Sequence, residues 1–233
     1  MNKLIILLIV LFLSFDALAQ DDFKRPASSD YPVLPQHGKT VGDFVPRNWE
    51  TVSKVSGDLN GDNSADYVLV VKANDSKFLN KNDGLGSDTF DTNPRVLIIL
   101  FKDENGYKLA KQSNTFIVAP ESPVMEEPFQ GAAIKNAILQ LDFEIFYSAG
   151  SWSMSQYSYK FKFLSGEFAL IGADRIESMR NTGEMQTQSY NFLTNKLKVT
   201  TGNFTEDKPE KVRWKKLKQG KLKTFDTFKE PFS

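Results

Sequence analysis

The chain of 233 residues contains no cysteine and a single histidine, His37. The absence of cysteine excludes disulfide bonds, a thiolate nucleophile and a lipid attached to cysteine. One histidine cannot form the histidine pair of a zinc enzyme, and the prolines around His37 are typical of surface chain rather than of a general base. Stability must therefore come from the hydrophobic core and from any bound metal.

The sequence also lacks an excess of charge of either sign, since Lys plus Arg and Asp plus Glu each number 29. This balance predicts neither a nucleic-acid partner nor an anionic membrane surface. No glycine-rich phosphate loop and no nucleophile elbow is present, so catalysis has little support. We expect a monomer without catalytic activity. The alternative is a carboxylate-based hydrolase acting on an extracytoplasmic glycan, because two acids can meet from distant strands.

The first 19 residues have the pattern of a cleaved signal peptide. Lys3 precedes an almost wholly apolar run from Leu4 to Phe15, and Ala17-Leu18-Ala19 is a cleavage site of the small-x-small kind. The apolar run is short for a transmembrane span, which needs about 20 residues, so an uncleaved anchor is the lesser alternative. The segment predicts a periplasmic or secreted protein that is not a lipoprotein and whose mature chain is not inserted in a membrane.

The remainder divides into an extended, proline-rich leader over residues 20–45 and a single domain over 46–233. The leader is polar and is expected to tether or drape rather than to pack. The domain has ample material for a core, since 40% of the chain is hydrophobic and phenylalanine occurs 19 times. One domain is the expected number for this length.

Strand patterns dominate the domain. Continuous apolar runs over 67–72 and 95–102 predict two buried strands. Apolar residues alternate with polar ones over 139–145 and 157–163, which predicts an antiparallel hairpin with one face in the core and with Asp142 and Glu144 near Lys160 and Lys162. Further predictions are hairpin turns at Asn105-Gly106 and Thr194-Asn195, a short strand over 115–119, a loop over 179–188 and an edge strand over 212–216.

The predicted fold class follows from these patterns. It is a mainly β single domain of antiparallel hairpins or a meander, folded as a twisted sheet or a sandwich with one calcium-type loop, and it is not a full propeller.

The calcium-type loop is the stretch with the most specific chemistry. Oxygen-bearing side chains recur at positions 1, 3, 5 and 9 of a short polar loop, and an apolar run follows. Calcium takes six to eight oxygen ligands at about 2.3–2.6 Å, and three inward carboxylates repel one another without a cation. The sequence predicts a Ca²⁺ site whose ligands are Asp58, Asn60, Asp62, the carbonyl of Ser64, and Asp66 directly or through water. The alternative is a turn rich in Asn and Asp that binds no metal.

The loop departs from the EF-hand pattern, because its glycine is at the fourth position and Leu69 occupies the twelfth. The sequence Gly-Asp-x-Asn-Gly-Asp-x-x-x-Asp-hydrophobic resembles the calcium loop of FG-GAP and VCBS-type repeats of secreted proteins. It occurs once, so the resemblance implies calcium binding without implying a propeller. Much of 47–200 is also similar to a group of uncharacterised exported bacterial β-proteins with a single such loop. That similarity implies the fold class and compartment only.

Two further sets of residues are candidates for binding. Tyr147, Trp152 and Tyr157 lie near one end of the predicted hairpin and are candidate contacts for an unknown protein or glycan partner; burial in the core is the alternative. The long polar segment 73–94 carries Asp83, Asp88 and Asp91. These acids add ligands to the first site, form a second site, or belong to a solvated loop.

Overall fold

The computed structural model describes residues 23–207, 209–228 and 231–232; the predicted signal peptide lies outside them. Every strand pair is antiparallel, and the predicted mainly β fold class is confirmed. In this part of the chain the strands are β1 His37–Gly38, β2 Trp49–Gly57, β3 Asp66–Ala73, β4 Leu79–Lys81, β5 Thr89–Asp91, β6 Arg95–Asp103, β7 Gly106–Ser113, β8 Phe129–Lys135, β9 Ile138–Phe146, β10 Ser153–Leu164, β11 Glu167–Met179, β12 Glu184–Asn191, β13 Lys196–Asn203 and β14 Lys211–Lys216.

The strands form two large sheets and one small one. The first sheet has the order β1-β7-β6-β3-β2, and the second runs β14-β13-β12-β11-β10-β9-β8, a meander in which each strand pairs with its neighbours in sequence. Strands β4 and β5 pair separately. A tight turn joins β8 to β9; its two residues, Asn136 and Ala137, both have positive φ, as a two-residue turn that matches strand twist requires. Within the described part of the chain, none of the sheets closes into a barrel or a propeller.

The main core lies between the two large sheets. Strands β3 and β6 contribute aliphatic side chains, and β9, β10 and β11 contribute aromatic and aliphatic ones. The predicted period-two alternation is confirmed over 139–143 and 157–163, because these apolar positions face the core; Ile145 at the end of β9 is only half-buried. The fully or nearly fully buried members include Val68, Val70, Leu97, Ile99, Leu139, Leu141, Phe143, Tyr159, Phe161, Phe168 and Leu170.

Phe116 lies where the two sheets are joined. The short strand predicted over 115–119 is wrong, since this segment is an irregular bend after β7. The bend allows Phe116 to point into the core, where it is completely buried. Its ring meets five others at centroid distances of 5.0–6.0 Å: Phe143, Tyr159, Phe161, Phe225 and Phe228.

The first sheet is covered on its other face by the leader. Leu34 and Phe44 are buried against side chains of β3 and β6 such as Leu69 and Ile98. This differs from the expectation that the leader would not pack. The reason is visible in β3 and β6, whose continuous apolar runs need cover on both faces, as buried strands do.

Two predictions in the second sheet are wrong. The loop predicted over 179–188 is only a short turn between β11 and β12, and β12 itself begins at Glu184. Strand β12 is half-exposed and its polar residues show no apolar alternation, so its sequence does not indicate a strand. In the β9–β10 hairpin, Asp142 lies opposite Ser158 and Glu144 opposite Gln156, so the predicted pairing with lysines fails. The Nζ of Lys160 instead bonds Asp174 of β11 at 2.6 Å.

Several turn and edge predictions are confirmed. The turn predicted at Asn105-Gly106 joins β6 to β7, with Glu104 and Asn105 as its two residues and Gly106 as the first of β7; the turn containing Thr194 and Asn195 joins β12 to β13. Strand β14 lies at the edge of the second sheet and is exposed along its length, as predicted for 212–216. Its lysines protect an open row of backbone groups from pairing with another chain.

Candidate functional site

The calcium-type loop closes the hairpin of β2 and β3. Gly57 at the end of β2 pairs with Asp66 at the start of β3, so residues 58–65 form the connection. A Cβ on Gly57 would lie 2.7 Å from the side chain of Ile134 on β8. The loop therefore emerges where the two sheets touch. Gly61 and Asn63 have positive φ, a conformation that glycine adopts freely and that asparagine tolerates better than most residues.

The exposed part of the loop is held by its own amide groups. The carboxylate of Asp58 accepts the N–H of Gly61 at 2.7 Å and that of Asn63 at 2.9 Å. Asp62 accepts the N–H of Ser64 at 2.7 Å and the side-chain amide of Asn60 at 2.9 Å. The hydrogen bond from Asn60 has the largest effect on the pKa of Asp62, the bond from Ser64 the next largest, and both lower it. This carboxylate is therefore ionised at neutral pH, as a metal ligand must be.

Asp66 occupies a different environment, because its side chain is completely buried. One oxygen accepts the N–H of Leu59 at 2.8 Å, and the other accepts the N–H of Lys102 on β6 at 2.9 Å. Burial raises the pKa of Asp66, and these two bonds only partly offset the effect. Asp66 thus joins the loop to the neighbouring strand. Its position directly before an apolar run was the available sequence signal for this role.

The donor set fits a hard cation in its chemistry, since it offers three carboxylates and one amide oxygen. Among the described residues, however, no three His, Cys, Asp or Glu side chains converge on a common point. The carboxylate oxygens of Asp58, Asp62 and Asp66 all accept N–H groups in this arrangement. Calcium binding at this loop therefore stays a prediction.

The acids of segment 73–94 lie at the other end of β3. That strand spans eight residues, about 25 Å at roughly 3.3 Å per residue, so these acids do not add ligands to the loop at its start. Asp91 bonds the Nζ of Lys72 at 3.0 Å, and Asp83 lies 3.2 Å from Lys81. The segment is built around the small hairpin of β4 and β5 rather than around a second group of acids.

Trp152 lies at the end of the β9–β10 hairpin and is 61% exposed. The guanidinium of Arg180 lies 5.9 Å from the Trp152 ring and 4.6 Å from the ring of Phe146. Arg180 also donates to the carbonyl of Ser151 at 2.6 Å and to that of Tyr147 at 3.2 Å. Sequence reasoning missed Arg180, because it stands in the segment predicted to be a loop.

Tyr147 belongs to the same end of the hairpin. Its hydroxyl donates to the carboxylate of Glu121. Burial is the largest and this hydrogen bond the second largest of the causes that raise the pKa of Tyr147 to about 12. The structure thus brings Tyr147 and Trp152 together around Arg180. The contact to Tyr147 is made through its main-chain carbonyl, whereas the side chains of Trp152, Phe146 and Arg180 form one face, here called the Trp152 surface.

Tyr157 lies apart from this surface. It is opposite Phe143 on the inner face of the second sheet, and its ring is 4.6 Å from that of Phe232. The guanidinium of Arg175 lies 5.6 Å from the Tyr157 ring. Tyr157 therefore belongs to the region beside the core.

Comparisons with family models, with curated proteins and with solved structures give no match to this chain. The resemblance of the Asp58–Asp66 loop to FG-GAP and VCBS-type repeats therefore rests on the loop residues themselves. Within the described ranges, no helix has the length and apolar character needed to cross a membrane.

Proposed function

We propose that this protein is an exported, calcium-binding β-domain without catalytic activity, which acts in the cell envelope or the medium as a binding module for a protein or glycan partner. The observation that supports it is the Asp58–Asp66 loop, in which an all-oxygen donor set closes a hairpin at the contact between two sheets. The signal-peptide pattern of residues 1–19 supports export.

Calcium would be held by Asp58, Asn60 and Asp62, with the carbonyl of Ser64 and with Asp66 directly or through water. The cation would supply charge neutralisation, since three carboxylates within nine residues repel one another. The chain's own part is to hold the loop. Asp66 connects it to Lys102 of β6, so a more rigid loop also fixes the hairpin against the sheet.

The binding surface of the module is the Trp152 end of the second sheet. An exposed indole backed by a cation and a second aromatic ring offers a flat apolar face, which suits a sugar ring or an apolar side chain of a protein. The backbone bonds of Arg180 to Tyr147 and Ser151 hold this face in place before a partner arrives.

The first test is thermal unfolding of the chain without residues 1–19, in EDTA and in millimolar calcium. Binding to the native state alone adds RT ln(1 + [L]/Kd), about 2.7 kcal/mol at a hundredfold excess over Kd. For a domain of this size that corresponds to a rise of roughly 5–11 °C in the unfolding midpoint. The variant Asp58→Ala/Asp62→Ala is expected to show no rise.

The matched control is Asp83→Ala/Asp88→Ala, which removes two acids from the other end of β3 and should keep the full calcium response. Equal midpoints in EDTA and calcium for the unaltered chain would contradict the proposal. The loop would then be a turn closed by its own hydrogen bonds.

A further inference from the structure

A cleft of about 460 Å³ lies beside the core, between the inner face of strands β10–β12 and the covering segment 217–223. Its volume falls in the range of small-molecule sites, about 300–1,000 Å³. No residue of the Asp58–Asp66 loop or of the Trp152 surface lines this cleft, so the cleft is a separate site. The lining includes Tyr157, Tyr159, Leu170, Ala173, Arg175, Tyr190, Phe192, Leu217, Leu222, Phe228 and Phe232.

The shape of the cleft follows from one row of the sheet. Tyr159 of β10 pairs with Ala173 of β11, which pairs with Tyr190 of β12, so the methyl group of Ala173 lies between two aromatic residues. Two strand spacings, about 9.5 Å, separate the residues that carry the rings. A flat ring in contact with an aromatic face on each side needs about 3.5–4.0 Å per contact. The spacing of the strands along this row would therefore admit one ring above Ala173.

The rim of the cleft is cationic although the whole chain has no net charge. Lys218, Lys221 and Lys223 of the covering segment have no ion pair within the described ranges, and only Arg175 is paired, with Glu177 at 2.5 Å. The Nε of Arg175 is buried and has no acceptor. The one carboxylate among the described residues of the lining, Asp174, is bonded to Lys160. This arrangement attracts an anion.

We propose that the cleft binds an aromatic carboxylate, with its ring between Tyr159 and Tyr190 and its carboxylate toward the lysines of the covering segment. Aromatic faces recognise flat rings, and cations at the edge recognise the negative head. The floor offers few groups for sugar hydroxyls, because the hydroxyl of Tyr190 is bonded to Gln188 and that of Tyr159 accepts the N–H of Phe232. The proposal is independent of calcium at the Asp58–Asp66 loop.

The test is calorimetric titration of 2-naphthoate into the chain without residues 1–19, in EDTA and low salt. We expect binding at one site per chain, at least about tenfold tighter than for uncharged 2-naphthol and tighter than for decanoate, which carries the same head on a flexible chain. Added salt should weaken the binding. The use of EDTA separates this result from any failure of the calcium proposal.

Variants locate the site. Ala173→Leu fills the space between the rings and should weaken 2-naphthoate at least about tenfold, whereas Ala133→Leu, at an exposed position of β8, should leave the affinity unchanged. Lys218→Ala/Lys221→Ala removes two exposed cations, and it should weaken 2-naphthoate but not 2-naphthol; Lys135→Ala, at another exposed lysine, is its control.

Three results would overturn the proposal. They are no heat of binding up to millimolar 2-naphthoate, decanoate binding at least as tightly as 2-naphthoate, and unchanged affinity in the double lysine variant.

Discussion

Phe116→Ala is expected to lower the free energy of unfolding by about 3–5 kcal/mol, the usual cost of removing a large buried aromatic side chain. The ring is completely buried and is the common neighbour of five other rings. Those rings belong to β9, β10 and the C-terminal segment, so no single movement closes the cavity. The free energy is measured by urea unfolding.

The control is Phe204→Ala, which removes a phenylalanine that is 57% exposed, and its effect should stay within about 0.5 kcal/mol. A loss of less than about 1 kcal/mol in Phe116→Ala would contradict the placement of Phe116 at the centre of the core. The slope of free energy against urea concentration should be the same in both variants if only stability has changed.

Asp66→Ala is the second change with a large expected effect, a loss of about 2–5 kcal/mol in EDTA. The substitution leaves the N–H groups of Leu59 and Lys102 without their acceptor, and an unsatisfied buried donor costs about 1–3 kcal/mol. The cost of burying the carboxylate, visible in its raised pKa, offsets part of this loss. Urea unfolding in EDTA measures the effect without any contribution from calcium.

Asp66→Asn serves as the graded comparison, because it keeps one accepting oxygen and should lose about half as much as Asp66→Ala. Asp83→Ala removes a carboxylate that is 84% exposed and should have almost no effect. Equal stability of Asp66→Ala and the unaltered chain in EDTA would show that the two backbone bonds do not hold the loop to the sheet.

Most of the strand content was predictable because apolar side chains record which face of a strand is buried. The runs in β3 and β6 and the alternation in β9 and β10 were recognised on this basis. Strand β12 was missed since its two faces are both half exposed, so burial left no pattern in its residues. Phe116 was assigned to a strand because a short apolar run does not reveal whether its backbone is extended or bent.

Pairing register was less predictable than strand content. Charge complementarity favoured Asp142 beside Lys160, but an exposed pair contributes only about 0.2–1 kcal/mol. The buried pairs of the same hairpin, such as Phe161 with Leu139, involve larger energies and set the register instead.

The residues of the candidate site were predictable from the sequence, but the different structural role of each residue was not. Spacing alone grouped Asp66 with Asp58 and Asp62, whereas the structure buries Asp66 against β6, leaves Asp58 half-buried and exposes Asp62. Arg180 and Ala173 carried no signal of their own. Their roles depend on neighbours that the meander brings from other strands, Trp152 for the first and two tyrosines for the second.

The most direct test of the central claim is calorimetric titration of calcium into the chain without residues 1–19 after removal of all metal with EDTA. We predict binding of one calcium ion per chain, lost in Asp58→Ala/Asp62→Ala and retained in Asp83→Ala/Asp88→Ala. The absence of any binding heat up to about 10 mM calcium would contradict the account, because this concentration exceeds the dissociation constants of even weak extracellular calcium-binding modules.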